Sequence, residues 1–112
     1  MTESKLIAIG VDQKGQIWGG HFGIAPQYNL YDRAGKLVEE RQNPYGAGSG
    51  EHKHHDSPKL IVDLLPDCGV FIARRMGGGS KKKLVKNLGV EIVLTEKKDA
   101  QIAIKAYLSS LL

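Results

Sequence analysis

The sequence predicts an α/β protein, a mixed sheet of about five strands flanked by helices. Three observations carry this. Lys5 to Val11, Gly69 to Ala73 and Val90 to Leu94 are short, nearly continuous apolar runs, the texture of strands covered on both faces. Apolar residues at helical spacing lie between and after the last two runs. Between the first and second runs lie two alternating segments, Gln27 to Asp32 and Lys36 to Gln42, joined by the tight turn Arg33-Ala34-Gly35 as a hairpin.

The elements follow in order. After the first strand, Asp12-Gln13-Lys14-Gly15 is a turn and Gln16-Ile17-Trp18 a short return strand. The glycine-flanked stretch Gly19-Gly20-His21-Phe22-Gly23 is a loop, because glycines favour neither helix nor strand interiors. The hairpin strands come next. Residues 43–57 are rich in Pro, Gly, Ser and His without periodicity, a flexible loop. Ser57-Pro58 then reads as a helix cap followed by a first-turn proline. Leu60, Ile61, Leu64 and Leu65 form the buried stripe of that helix, and Pro66 ends it. The second apolar strand leads into Gly77-Gly78-Gly79. Ser80 caps a helix with Leu84, Val85 and Leu88 inward, closed by Gly89. The third apolar strand follows, and a last helix runs from about Lys97.

At 112 residues the chain fits a single domain spanning 1–112. Its apolar fraction of 41% suits a globular, soluble protein, and no apolar run reaches the ~20 residues of a membrane span. The single cysteine, Cys68, excludes an internal disulfide and an all-cysteine metal site, and fits a reducing cytoplasm. A net charge of +4 leaves room for an anionic partner.

Right-handed crossovers make the later strands parallel to one another. If the first and third strands of the opening meander share that direction, four loops leave from one edge of the sheet: the His21 loop, the histidine-rich loop, the glycine loop after Met76 and the turn at Thr95. Ligands of open α/β sheets bind at the carboxyl ends of strands.

The candidates on that edge each have a plainer rival. His21 is a metal ligand or the solvated tip of a tight turn, with Phe22 as its anchor and Gly23 shaping the loop. His52, His54 and His55 in Glu51-His52-Lys53-His54-His55-Asp56 are metal ligands or solvated loop residues, without the spacing of a closed zinc site. Gly77, Gly78, Gly79, Ser80 and Lys81 open a helix, where free N–H groups favour an anion. The lysines there oppose the helix dipole, which either an anion or plain solvation relieves. This is neither a Walker loop nor a dinucleotide fingerprint. Arg74 and Arg75 either extend the same positive patch or pair with carboxylates. Cys68 is a soft ligand or a small core residue. Asp12 is the lone confident carboxylate for a two-metal nuclease site, which needs several.

Several of these pieces, in this order, carry a resemblance over nearly the whole chain. His21-Phe22-Gly23-Ile24-Ala25-Pro26-Gln27-Tyr28-Asn29-Leu30-Tyr31-Asp32, then Cys68-Gly69-Val70-Phe71-Ile72-Ala73, the glycine turn and Leu88-Gly89-Val90-Glu91-Ile92-Val93 resemble the dinitrogenase iron–molybdenum cofactor family, which includes NifX, NafY and the C-terminal domain of NifB. The resemblance implies a ribonuclease-H-like three-layer fold without nuclease activity. It implies a non-enzymatic binding or carrier role for a metal–sulfur cluster, either an iron–molybdenum cofactor precursor or another iron–sulfur cluster, with donor and acceptor proteins as partners. The family's histidine ligand maps onto His21. The basic run Lys81-Lys82-Lys83 departs from the small residues expected after the turn. Two other classes compete. A basic nucleic-acid-binding module would use the same cations but lacks interleaved aromatics, and a ribonuclease-H-type nuclease would need carboxylates beside Asp12. The last helix, with Ile102, Ile104, Leu108, Leu111 and Leu112 spread around it, either covers the sheet or pairs with a second copy.

Overall fold

The computed structural model describes residues 5–44, 58–76, 82, 85–86 and 89–111. Its strands are β1 (Leu6–Val11), β2 (Gln27–Tyr31), β3 (Leu37–Gln42), β4 (Cys68–Ala73) and β5 (Glu91–Leu94). They form one sheet in the order β3-β2-β1-β4-β5. Ile9 of β1 pairs antiparallel with Asn29 of β2 and parallel with Ile72 of β4. Asn29 pairs antiparallel with Glu40 of β3, and Ile72 parallel with Val93 of β5. β1, β3, β4 and β5 therefore share one direction, and their carboxyl ends make one rim with the start of β2. This is the shared edge expected from the sequence.

Strand alternation divides the core between two faces. Ala8, Leu30, Phe71 and Ala73 pack with Ile61 and Leu65 from α1 (Pro58–Leu64) and the residue after it. Ile7, Ile9, Val11, Val70 and Ile72 pack with Ala103, Ile104 and Tyr107 of α2 (Ala100–Ser110). Among the described residues one helix lies on each face, which gives three layers. A one-residue bulge at Gly69, between the pairs Leu6–Cys68 and Ile7–Val70, resets the alternation, so Cys68 and Phe71 face the same layer.

Two turns share one chemistry. The Asp12 carboxylate accepts from the amides of Lys14 at 2.8 Å and Gln16 at 3.0 Å, and Asp32 accepts likewise from Ala34 and Lys36. Gly15 and Gly35 close these turns at φ +84° and +86°, where a side chain is strained.

The structure differs from the sequence reading, or decides what it left open, in five places. Gln16–Trp18 is not a strand: Ile17 and Gln16 make isolated bridges to Val11 and Asp99. β2 is buried on both faces, since it lies inside the sheet, whereas β3 and β5 are its edges and stay largely exposed. α2 begins at Ala100, three residues late, because Lys98 accepts from the Ile17 amide at 2.7 Å and Asp99 caps the helix through the Ile102 amide. Its buried stripe is Ala100, Ala103, Ile104 and Tyr107, so it covers the sheet, while Ile102 and Leu111 face outward. Asn43, read as the first loop residue, is buried. The helix capped by Ser80 lies largely outside the described residues, as does most of the 43–57 loop. Among the described residues no helix is long and apolar enough to cross a membrane.

Candidate functional site

The rim is built from the His21 loop outward. Phe22 fixes that loop: it is buried, stacked on Phe71 with centroids 4.7 Å apart and tilted against Tyr28 at 4.8 Å. Its amide donates to the Arg75 carbonyl at 3.0 Å, and His21 and Arg75 form a parallel bridge. The chain after β1 is thereby tied to the chain after β4. His21 itself is exposed at the start of a short 3-10 turn, Phe22–Ile24, and its side chain caps nothing. Its imidazole is uncommitted on an anchored backbone.

A buried polar latch holds the far side of the loop. The Tyr28 hydroxyl donates to the Phe22 carbonyl at 2.7 Å. The Asn43 side-chain amide donates to the carbonyls of Gly23 at 3.1 Å and Ala25 at 2.8 Å, and to the Tyr28 hydroxyl at 3.1 Å. Burial pushes the Tyr28 hydroxyl far above its ordinary range, which keeps it a donor. Gly10 of β1 belongs to the same device, since a Cβ there would stand 2.9 Å from that of Ala25. Sequence reasoning missed Tyr28 and Asn43 as a pair. A tyrosine in a strand and an asparagine opening a Pro/Gly-rich loop are ordinary alone, and only the sheet brings them together.

Two cations follow β4 on the same rim, and the second, Arg75, is bridged to His21 through the backbone. Arg74 is half-buried and Arg75 exposed, and among the described residues neither has a carboxylate within ion-pair distance. With Gly19, Thr95 and Glu96 they line a polar cleft. Trp18 packs against the α1 layer, and its buried indole N–H has no hydrogen-bond partner.

The structure thus brings His21, Phe22, Gly23 and Arg74 to one rim. Gly77, Gly78, Gly79, Ser80 and Lys81 lie outside the described residues, and so do His52, His54 and His55. Cys68 is elsewhere. It begins β4 while the rim is at its end, about 17 Å along the strand at ~3.3 Å per residue. Its thiol is buried and pushed up to about 12, by desolvation first and then by the neighbouring Asp67 charge. A protonated core thiol on the opposite edge does not belong with His21. Asp12 is at the rim, but its carboxylate builds a turn. Among the described residues no group of three or more His, Cys, Asp or Glu is placed to hold a metal ion.

Comparison with known proteins bears on this arrangement. The family described as "Dinitrogenase iron-molybdenum cofactor" matches residues 4–110. The apo form of the orange protein from Desulfovibrio gigas is similar in structure, with a TM-score of 0.76 at 17% identity over 98% of this chain and 92% of that one. At that identity the likeness is one of fold. No curated protein matches the sequence.

Proposed function

The chain belongs to the dinitrogenase iron–molybdenum cofactor family, and from that premise we propose that it binds or carries a metal–sulfur cluster without transforming it. The cargo is an iron–molybdenum cofactor precursor or another iron–sulfur cluster, passed between a donor and an acceptor protein. The observation that carries the reading is the uncommitted His21 imidazole on an anchored loop, on the rim that also carries Arg74 and Arg75, neither of them paired with a carboxylate among the described residues. A bare ion needs several protein donors, commonly four for zinc. The described residues offer no such group. A cluster brings its own sulfides and a negative charge, so one imidazole and nearby cations suit it better.

In this reading His21 coordinates the cargo and the Phe22–Gly23 turn holds the imidazole outward. Arg74 faces the anionic body together with the glycine run from Gly77 to Lys81. His52, His54 and His55 are secondary ligand candidates. Cys68 is left out, because it lies at the other end of β4. The strand order β3-β2-β1-β4-β5 with a helix on each face supports the ribonuclease-H-like description of the fold. A reducing compartment suits both the cargo and the free thiol.

Anaerobic reconstitution with iron and sulfide tests the proposal. Charge-transfer absorption is expected for the native chain and lost in His21→Ala, with the thermal melting of the apoprotein unchanged. If His21→Ala takes up the same iron and sulfide with the same spectrum, His21 is not the ligand. If the native chain takes up none, the cluster reading fails.

A further inference from the structure

The cleft between the carboxyl ends of β4 and β5 has a chemistry of its own. Its walls are Gly19, Arg74, Arg75, Thr95 and Glu96. The frame is fixed by backbone bonds, Thr95 N–H to the Ala73 carbonyl at 2.9 Å and Phe22 N–H to the Arg75 carbonyl at 3.0 Å. The Thr95 hydroxyl accepts from the Lys97 amide at 3.2 Å, which leaves its own proton to donate. A Cβ on Gly19 would lie 3.4 Å from an Arg74 guanidinium nitrogen, which places that guanidinium against the Gly19 backbone.

Glu96 shares the cleft with the two arginines, yet no ion pair joins them. The walls therefore present two guanidiniums and a hydroxyl as donors, with one carboxylate as acceptor. The ligand that uses all of them is an anion that still carries a proton. The volume, about 180 Å³, exceeds several times over the ~10–15 Å³ that a single water needs, enough for a tetrahedral oxyanion of five heavy atoms.

We propose that this cleft binds a hydrogen-phosphate group, with Arg74 and Arg75 holding its charge and the Glu96 carboxylate accepting a hydrogen bond from its P–OH. The cleft excludes His21 but shares Arg74 with the cluster reading, so loss of phosphate binding in the arginine variants and loss of cluster binding in His21→Ala fail separately. Glu96 makes it selective: sulfate has the same shape and charge but no proton to give, so it meets the carboxylate with lone pairs only.

Calorimetric titration of the full chain at pH 7 and constant ionic strength tests this, with inorganic phosphate, sulfate and methyl phosphate as separate probes. Saturable phosphate binding at least tenfold tighter than sulfate is expected. Glu96→Gln should bring the two within about threefold, because an amide can donate to sulfate. Arg74→Gln and Arg75→Gln should each weaken phosphate at least tenfold, while His21→Ala should leave it unchanged. Methyl phosphate is a second control: its dianion, the main form at pH 7, has no P–OH to give Glu96, so it should bind more weakly than phosphate, and equal or tighter binding overturns the role given to Glu96. Phosphate binding no tighter than sulfate, or insensitive to both arginine variants, overturns the proposal.

Discussion

Asn43→Ala probes the latch that positions the candidate ligand loop. The two amide hydrogens of Asn43 serve three acceptors, the carbonyls of Gly23 and Ala25 and the Tyr28 hydroxyl, within 3.1 Å. Alanine keeps the backbone bond from residue 43 to the Pro26 carbonyl but leaves the other carbonyls without this donor. Each buried polar group left unpaired costs about 1–3 kcal/mol, so the expected loss is about 2–4 kcal/mol once water partly relieves it. For a chain of 112 residues at ~2.1 cal/mol/K of unfolding entropy per residue, 1 kcal/mol moves Tm by about 4 °C. The variant should therefore melt about 9–17 °C lower by circular dichroism. Tyr28→Phe keeps the ring packing but removes the donor to the Phe22 carbonyl, at a cost of about 1–2 kcal/mol. Because Tyr28 and Asn43 touch, the double variant should lose less than the sum by about 0.5–1 kcal/mol. A loss below about 0.5 kcal/mol for Asn43→Ala, or strict additivity in the cycle, would refute the latch.

The remaining predictions concern Cys68 and the Arg41–Asp67 pair. Cys68, pushed up to about 12 by burial, should resist thiol reagents at pH 8 in the native protein and react at once on denaturation. The thiol pKa is raised on folding, so its contribution is complete below the ordinary thiol value and is lost as pH rises toward 12. Rapid labelling of the native chain at pH 8 would show the thiol is not so enclosed. The Arg41 guanidinium bonds both oxygens of Asp67 at 3.0 and 3.1 Å and the Leu64 carbonyl at the end of α1 at 2.9 Å. Its hydrogen bonds hold the Asp67 carboxyl below the usual range, so their contribution is present above about pH 4 and lost as pH falls through the depressed value. Arg41→Met should cost about 1 kcal/mol in urea unfolding at pH 7, as the pair is partly exposed, and distinctly less at pH 2. A gap independent of pH would remove Asp67 from the account.

Sequence pattern identified the strands and helices where burial is uniform, and misjudged them where position in the sheet decides. Residues 27–31 and 37–42 alternate in similar ways, yet one strand is central and the other an edge, a distinction set by pairing partners far along the chain. The late start of α2 has the same origin: Asp99 is held extended by a bridge to Gln16, and no helix signal near Lys97 contains that information. The rim was legible because parallel crossovers fix strand direction, and direction alone collects His21, Arg74 and Thr95. Its chemistry was less so. Asp12 has the sequence appearance of a catalytic carboxylate and the structural role of a turn, because an aspartate three residues before a glycine satisfies two amides locally. Arg74 and Arg75 present the reverse case. Arginines at a strand end commonly find carboxylates, but these have none among the described residues, although Glu96 lines the same cleft. A cation left unpaired beside an available carboxylate keeps its donors for a third party, and on that feature the proposed anion site rests.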